Sequence, residues 1–201
     1  MIKLYHAALT RSVRILWLLE ELGLRYELAT VTFVPPAVPF SQPTPFGKLP
    51  VIEDGELTMF ESGAILEYIL ERYGEGRLAP RPGTPLRGRF LQWVHFAEAT
   101  AFPPLGEISW HTVFKPERER IPAVVADARA KAAAALRVLE DALAGKQYIL
   151  GADFSGADVM LGYTLMSAKF FGVLGDESPN TNAYFMRLMA RPAFQKAVSA
   201  P

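Results

Sequence analysis

The stretch Phe46–Tyr68, FGKLPVIEDGELTMFESGAILEY, decides the fold. Pro50–Glu53 and Glu56–Phe60 are short apolar-rich runs separated by Asp54-Gly55. Asp-Gly is a preferred two-residue hairpin loop, because both centres tolerate positive φ. Proline has no N–H, so Pro50 suits the start of a strand. Helix signals begin directly after Phe60: Glu61-Ser62-Gly63 precede Ile65, Leu66, Ile69 and Leu70 at helical spacing, and the helix runs out near Tyr73-Gly74. Ser62 is read as the N-cap or its neighbour. A helix N-terminus offers unpaired N–H groups and partial positive charge to a carboxylate. Glu61 beside it offers a carboxylate to an ammonium. Together the two suit the α-amino acid end of a ligand; taken singly, they also fit a plain, well-capped helix start.

Working outward, Ile2–His6 reads as a first strand, with Tyr5 pointing into the core and His6 reaching toward a site edge. Ser12–Leu22 is a helix apolar on nearly every face, and Gly23 stands where a C-terminal glycine stop belongs. A second strand follows at about Tyr26–Thr32. Strand, helix, strand in this order predicts a right-handed βαβ unit. Pro35–Pro45 holds five prolines and reads as loop.

Residues 77–88, with Pro80, Pro82, Gly83, Pro85 and Gly88, form the linker. Helical patterns follow over 85–111, bent by Pro103-Pro104 and Gly106, and over 117–144, 155–171, 180–190 and 192–199. Ser155-Gly156-Ala157-Asp158 is a capping-box variant with a structural task. The predicted architecture is an α/β N-terminal domain over 1–76 and an all-α C-terminal bundle over 89–201.

Composition narrows the function. The 201 residues are 50% hydrophobic and carry 21 basic and 21 acidic side chains. Zero formal charge argues against nucleic acid or an anionic membrane as partner. There is no cysteine, which excludes disulfides, a cysteine-based metal site and chemistry on a protein thiol; no metal is expected. The start MIKLYHAALTR has no signal-peptide pattern and no apolar run reaches membrane-spanning length, so a cytoplasmic protein is expected.

The order of parts in Phe46–Tyr68 resembles the N-terminal domain of cytosolic glutathione S-transferases. That domain is a thioredoxin-like unit with a cis-proline strand, a hairpin and a Glu/Gln-Ser helix start. Thr10-Arg11-Ser12-Val13-Arg14 resembles the family's S-x-S-x-R opening of the first helix, and Ser155–Asp158 its S/T-x-x-D box. The resemblance implies glutathione as co-substrate. A free thiol has a pKa of about 8.5 and must be shifted toward thiolate, which a hydroxyl donor at a helix start can do. The hydroxyl lying four residues before Arg14 maps to Thr10, where serine-type relatives carry serine; Ser12 is the fallback donor or a simple N-cap. By the same resemblance Leu49 offers its backbone to the cysteinyl unit, Pro50 sets that backbone, and Glu61 and Ser62 hold the γ-glutamyl end. Lys48 would meet the glycine carboxylate or be a plain surface lysine, and Gln42 is a further candidate.

The resemblance places an electrophile pocket between the domains, with Phe102, Trp110, His111 and Phe114 as candidates that also fit a helical core. It implies a homodimer. The expected activity is addition of the glutathione thiolate to electrophilic small molecules. A non-catalytic glutathione- or ligand-binding module is the alternative, as is an isomerase, dehalogenase or peroxidase on the same site.

Overall fold

A computed structural model describes residues 1–31 and 47–201. Its contacts group these residues into two units, Met1–Pro80 with Ala190–Pro201, and Arg81–Met189.

The first unit is built on a four-stranded sheet in the order β2-β1-β3-β4. The strands are β1 (Ile2–His6), β2 (Tyr26–Thr30), β3 (Val51–Asp54) and β4 (Leu57–Phe60). β1 runs parallel to β2, while β3 is antiparallel to both β1 and β4. Helix α1 (Ser12–Leu22) makes the crossover between the parallel strands, as the βαβ pattern predicts. It buries nine of its residues, Trp17 among them, as expected for a helix apolar nearly all round. Gly23 ends it in the left-handed region at φ 64°, and Leu24 N–H closes back on the Leu19 carbonyl at 3.0 Å.

Two expectations shift by one residue. Along β1 the buried residues are Ile2, Leu4 and His6, so His6 faces the core and Tyr5 does not. Tyr5 is half-buried, and its hydroxyl donates to Glu53 on β3 at 2.9 Å. Residues alternate faces in a strand, so misplacing one misplaces both. The hairpin loop is Gly55-Glu56, not Asp54-Gly55, because Asp54 pairs with Leu57 at the end of the ladder. Gly55 takes φ 65° at the first loop position, where a type II′ turn requires glycine. Asp54 is held instead by Tyr68 (2.7 Å) and Tyr73 (2.5 Å), both of helix α2 (Ser62–Tyr73), and by Arg72. Burial alone would raise the Asp54 pKa, but the two phenols and Arg72 outweigh it and hold it below the ordinary value. The Tyr68 hydroxyl is pushed up to about 12, first by that hydrogen bond.

The chain's last helix, α8 (Pro192–Ser199), packs on α1 and not with the helical unit into which the sequence pattern placed it. The reason is specific: Phe194 meets Trp17 edge-on at 4.7 Å, Arg191 grips Glu21 with two bonds of 2.6 and 2.7 Å, and Lys196 pairs with Glu20 at 2.7 Å.

The second unit begins with α3 (Pro85–His95). Thr84 caps it by accepting from Arg87 N–H at 3.2 Å, and Pro85 fills its first turn. The helix continues as a π-helical turn over Phe96–Ala101, α4 (Phe102–Ser109) and a second π-helical turn over Trp110–Phe114. Pro103-Pro104 and Gly106 thus reshape the helical path without stopping it. α5 (Pro122–Leu143), α6 (Gly156–Phe170) and α7 (Pro179–Met189) complete the bundle. Glu140 of α5 caps α7, accepting from Asn180 N–H, Thr181 N–H and the Thr181 hydroxyl at 2.7 to 2.9 Å.

The capping box at α6 is present and extended. One Asp158 oxygen accepts from Ser155 N–H and its hydroxyl, both at 2.8 Å. The other accepts from Ile149 N–H at 2.9 Å and the Tyr184 hydroxyl at 2.7 Å. Burial pushes the Asp158 pKa up, against the pull of these four donors.

Candidate functional site

The site residues of the first unit converge at the C-terminal side of β4 and the start of α2. A cleft of about 600 Å³ is lined by Arg11, Lys48, Leu49, Pro50, Phe60, Glu61 and Ser62. Five of these are the glutathione-site candidates of the sequence. The Leu49-Pro50 bond is cis, and Pro50 stands directly before β3, so it takes no ladder donor position.

Ser62 is the first residue of α2 and not its cap; that position falls to Glu61, whose carbonyl accepts Ile65 N–H at 2.9 Å. Glu61 adopts φ 71°, ψ 106°, a sparsely populated conformation for a residue with a Cβ. Such strain costs about 1–3 kcal/mol and collects at ligand clamps. The Glu61 side chain is exposed and lines the cleft at the start of α2. Ser62 is buried, and its hydroxyl accepts from Arg14 Nη1 at 3.0 Å. Arg14 is itself fully buried and joins α1 to the start of α2. In the sequence Arg14 stood only as a pattern position; its signal was a charge in the first turn of a helix whose next seven residues, but for the glutamates at 20 and 21, are apolar. Arg11, a cleft-lining cation, was also missed.

At the start of α1, Arg11 occupies the N-cap position without a side-chain cap bond, so Ser12 is not the cap either. Ser12 is fully buried. Its hydroxyl lies 2.6 Å from the Thr10 hydroxyl and 2.9 Å from His6 Nδ1, and it accepts from Ala7 N–H at 3.3 Å. Thr10 is half-buried and donates to the Ala7 carbonyl at 2.8 Å. Burial lowers the His6 pKa, with the Ala200 backbone pulling weakly the other way. Gln42 lies outside the described residues.

In the helical unit, Phe102 is half-buried against Tyr163, with ring centroids 5.8 Å apart. Trp110 is 54% exposed and lies 6.0 Å from Phe114, centroid to centroid. His111 is buried, and its Nδ1 accepts Ile121 N–H at 3.1 Å, tying the chain after the second π turn back to the helix. These residues sit at or beside the π-helical turns, a feature frequent at functional sites. Among the described residues, no cluster of His, Asp and Glu is arranged to hold a metal.

A thioredoxin-like α/β unit, with a cis-proline, a Glu-Ser helix start and an all-helical unit after it, defines a glutathione-transferase architecture. Comparison with known proteins agrees. Residues 1–71 match the family model "Glutathione S-transferase, N-terminal domain", and 122–187 match "Glutathione S-transferase, C-terminal domain". The chain is 34% identical to glutathione S-transferase 4 of Zea mays, over 97% of this chain and 91% of that relative. It is 36% identical to glutathione S-transferase 3 of Schizosaccharomyces pombe, a match that spans 51% of this chain and 43% of that relative. The fold is similar to the theta class glutathione S-transferase of Xanthomonas axonopodis pv. citri, solved with glutathione bound. That similarity has a TM-score of 0.83 and 28% identity, and covers 100% of this chain and 98% of that one. The chain belongs to the glutathione S-transferase family and is a glutathione transferase.

Proposed function

We propose that the protein adds the glutathione thiolate to electrophilic small molecules, with Thr10 as the hydroxyl that turns the thiol toward thiolate. The observation that carries this reading is the joining of Lys48, Leu49, Pro50, Glu61 and Ser62 in one cleft. Arg11, the residue after Thr10, lines the same cleft.

In this reading the γ-glutamyl carboxylate sits on the N–H groups that open α2, and the Glu61 carboxylate takes its ammonium. Leu49 presents backbone N–H and C=O to the cysteinyl unit in the manner of an added strand. The glycine carboxylate falls to Lys48. The sulfur then lies toward Thr10, whose half-buried hydroxyl is more accessible than that of Ser12. The exposed Trp110 and its neighbour Phe114 offer aromatic surface for an apolar electrophile. The family resemblance supports a cytoplasmic homodimer.

Calorimetric titration with glutathione, joined to a conjugation panel of aryl halides, epoxides, enals and hydroperoxides, tests the proposal. Micromolar to millimolar binding, weakened at least tenfold by Glu61→Gln, together with conjugation of at least one class, is expected. Binding with no turnover across the panel would favour a carrier role, and no binding would refute the site.

A further inference from the structure

We infer that buried His6 is a positioning residue that sets the direction of a hydrogen-bond chain, His6 to Ser12 to Thr10, and so frees the Thr10 proton for the substrate's sulfur. The inference rests on the proposal that the glutathione thiol meets Thr10.

The direction follows from counting hydrogens. Thr10 has one hydroxyl hydrogen, and the Ala7 carbonyl, 2.8 Å away, can only accept. The 2.6 Å contact between Thr10 and Ser12 must therefore be filled by the Ser12 hydrogen. Having given its only hydrogen to Thr10, Ser12 can meet His6 Nδ1 at 2.9 Å only as acceptor. His6 must then carry its proton on Nδ1. Ala7 N–H, at 3.3 Å, fills the remaining lone pair of Ser12, and Ser12 N–H approaches the Thr10 oxygen at 3.4 Å. Every hydrogen is used once, and the one contact left without a hydrogen is the long approach of the Ser12 hydroxyl to the Ala7 carbonyl at 3.3 Å.

The opposite tautomer does not close. With the proton on Nε2, Ser12 would donate to Nδ1, and the 2.6 Å contact would claim the Thr10 hydrogen. The Ala7 carbonyl would then face an oxygen lone pair at 2.8 Å. Thr10 could donate to sulfur only by leaving two oxygens 2.6 Å apart with no hydrogen between them. His6 is fully buried and its lowered pKa keeps it neutral, so it holds a single ring proton. Among the described residues no atom meets Nε2 in hydrogen-bond geometry, while the Ala200 backbone near the ring raises the His6 pKa against the larger effect of burial.

When the thiol arrives, only the last hydrogen moves. Thr10 turns its O–H from the Ala7 carbonyl to the sulfur, while Ser12 and His6 keep theirs. The Ala7 carbonyl retains Thr10 N–H at 3.3 Å. A hydroxyl that accepts from a donor chain is the stronger donor for it.

Two measurements test this. Nitrogen NMR of the ¹⁵N-histidine-labelled, ligand-free wild type should show His6 protonated at Nδ1; a proton on Nε2 overturns the inference. Ultraviolet titration of bound glutathione should show the thiol pKa raised by about 0.5–1 unit in His6→Phe, with glutathione affinity within twofold of wild type. His6→Asn, whose amide N–H takes the place of Nδ1–H, should keep the wild-type thiol pKa. A wild-type thiol pKa in His6→Phe overturns this inference alone, whereas a wild type that binds no glutathione overturns it together with the proposed function.

Discussion

Replacing Thr10 by valine removes one hydroxyl and keeps the branched shape, so the variant tests the hydroxyl and little else. A hydrogen bond to a charged acceptor contributes about 1.5–3 kcal/mol. At about 1.4 kcal/mol per pKa unit, its loss raises the bound thiol's pKa by about 1–2 units. The rate consequence has two opposing parts. Well below both pKa values, a rise of about 1.5 units cuts the thiolate fraction about thirtyfold. The more basic thiolate is also the better nucleophile, with a Brønsted slope of about 0.4–0.5, which returns about fivefold. The net expectation is a loss of about sixfold in kcat near pH 6, shrinking with pH and reversing above about pH 9. The sign is diagnostic: stabilising the thiolate helps where the free thiol would be protonated and hinders where it would ionise unaided. Thr10→Ser keeps the donor and should keep the wild-type profile. The assay is saturating-glutathione kcat against pH with an electrophile that the enzyme turns over. A Thr10→Val profile superimposable on wild type would refute the role of this hydroxyl, and a uniform loss at every pH would point to misplacement and not to pKa.

Three further outcomes follow from the packing. Glu61→Gly should relieve the positive-φ strain and raise stability by about 1 kcal/mol after the entropy cost of glycine, read as a higher urea midpoint, while weakening glutathione binding. Asp158→Ala strands four donors around a buried carboxylate position and should cost about 3–5 kcal/mol, seen in chemical denaturation. Asp54 has a depressed pKa, so its stabilising contribution is present above the ordinary carboxylate range and lost as pH falls through and below it. Acid-unfolding curves of wild type and Asp54→Asn should therefore converge as the pH drops, and parallel curves would contradict the assignment.

Much of this was legible in the sequence because the signals are local. The apolar run of α1, the glycine at 23, the hairpin after Pro50 and the Ser155–Asp158 box each depend on neighbours within a few residues. What escaped was tertiary. Asp54 looked like half of an Asp-Gly turn, but it pairs with Leu57 in the ladder, so the loop is Gly55-Glu56, and its carboxylate is held by Tyr68 and Tyr73 of α2. Ser62 read as a cap or its neighbour, and Ser12 as a donor or a cap. Each is instead a first-turn residue whose hydroxyl is used elsewhere, by Arg14 of α1 for Ser62 and by His6 of β1, only six positions away, for Ser12. The places of Tyr5 and His6 did have a signal, the alternation of Ile2, Lys3 and Leu4 that carries His6 to the core face, but the apolar character of tyrosine masked it. The docking of α8 on α1 rests on Trp17–Phe194 and on pairs from Glu20 and Glu21, separated by some 170 positions. No periodicity reports a contact at that separation.

The central claim is that this site turns glutathione's thiol into a thiolate. It is tested most directly by titrating the ultraviolet thiolate absorbance of glutathione bound to the wild-type protein. The account predicts an apparent pKa at least one unit below the roughly 8.5 of a free thiol. Bound glutathione that titrates with the free value would contradict it.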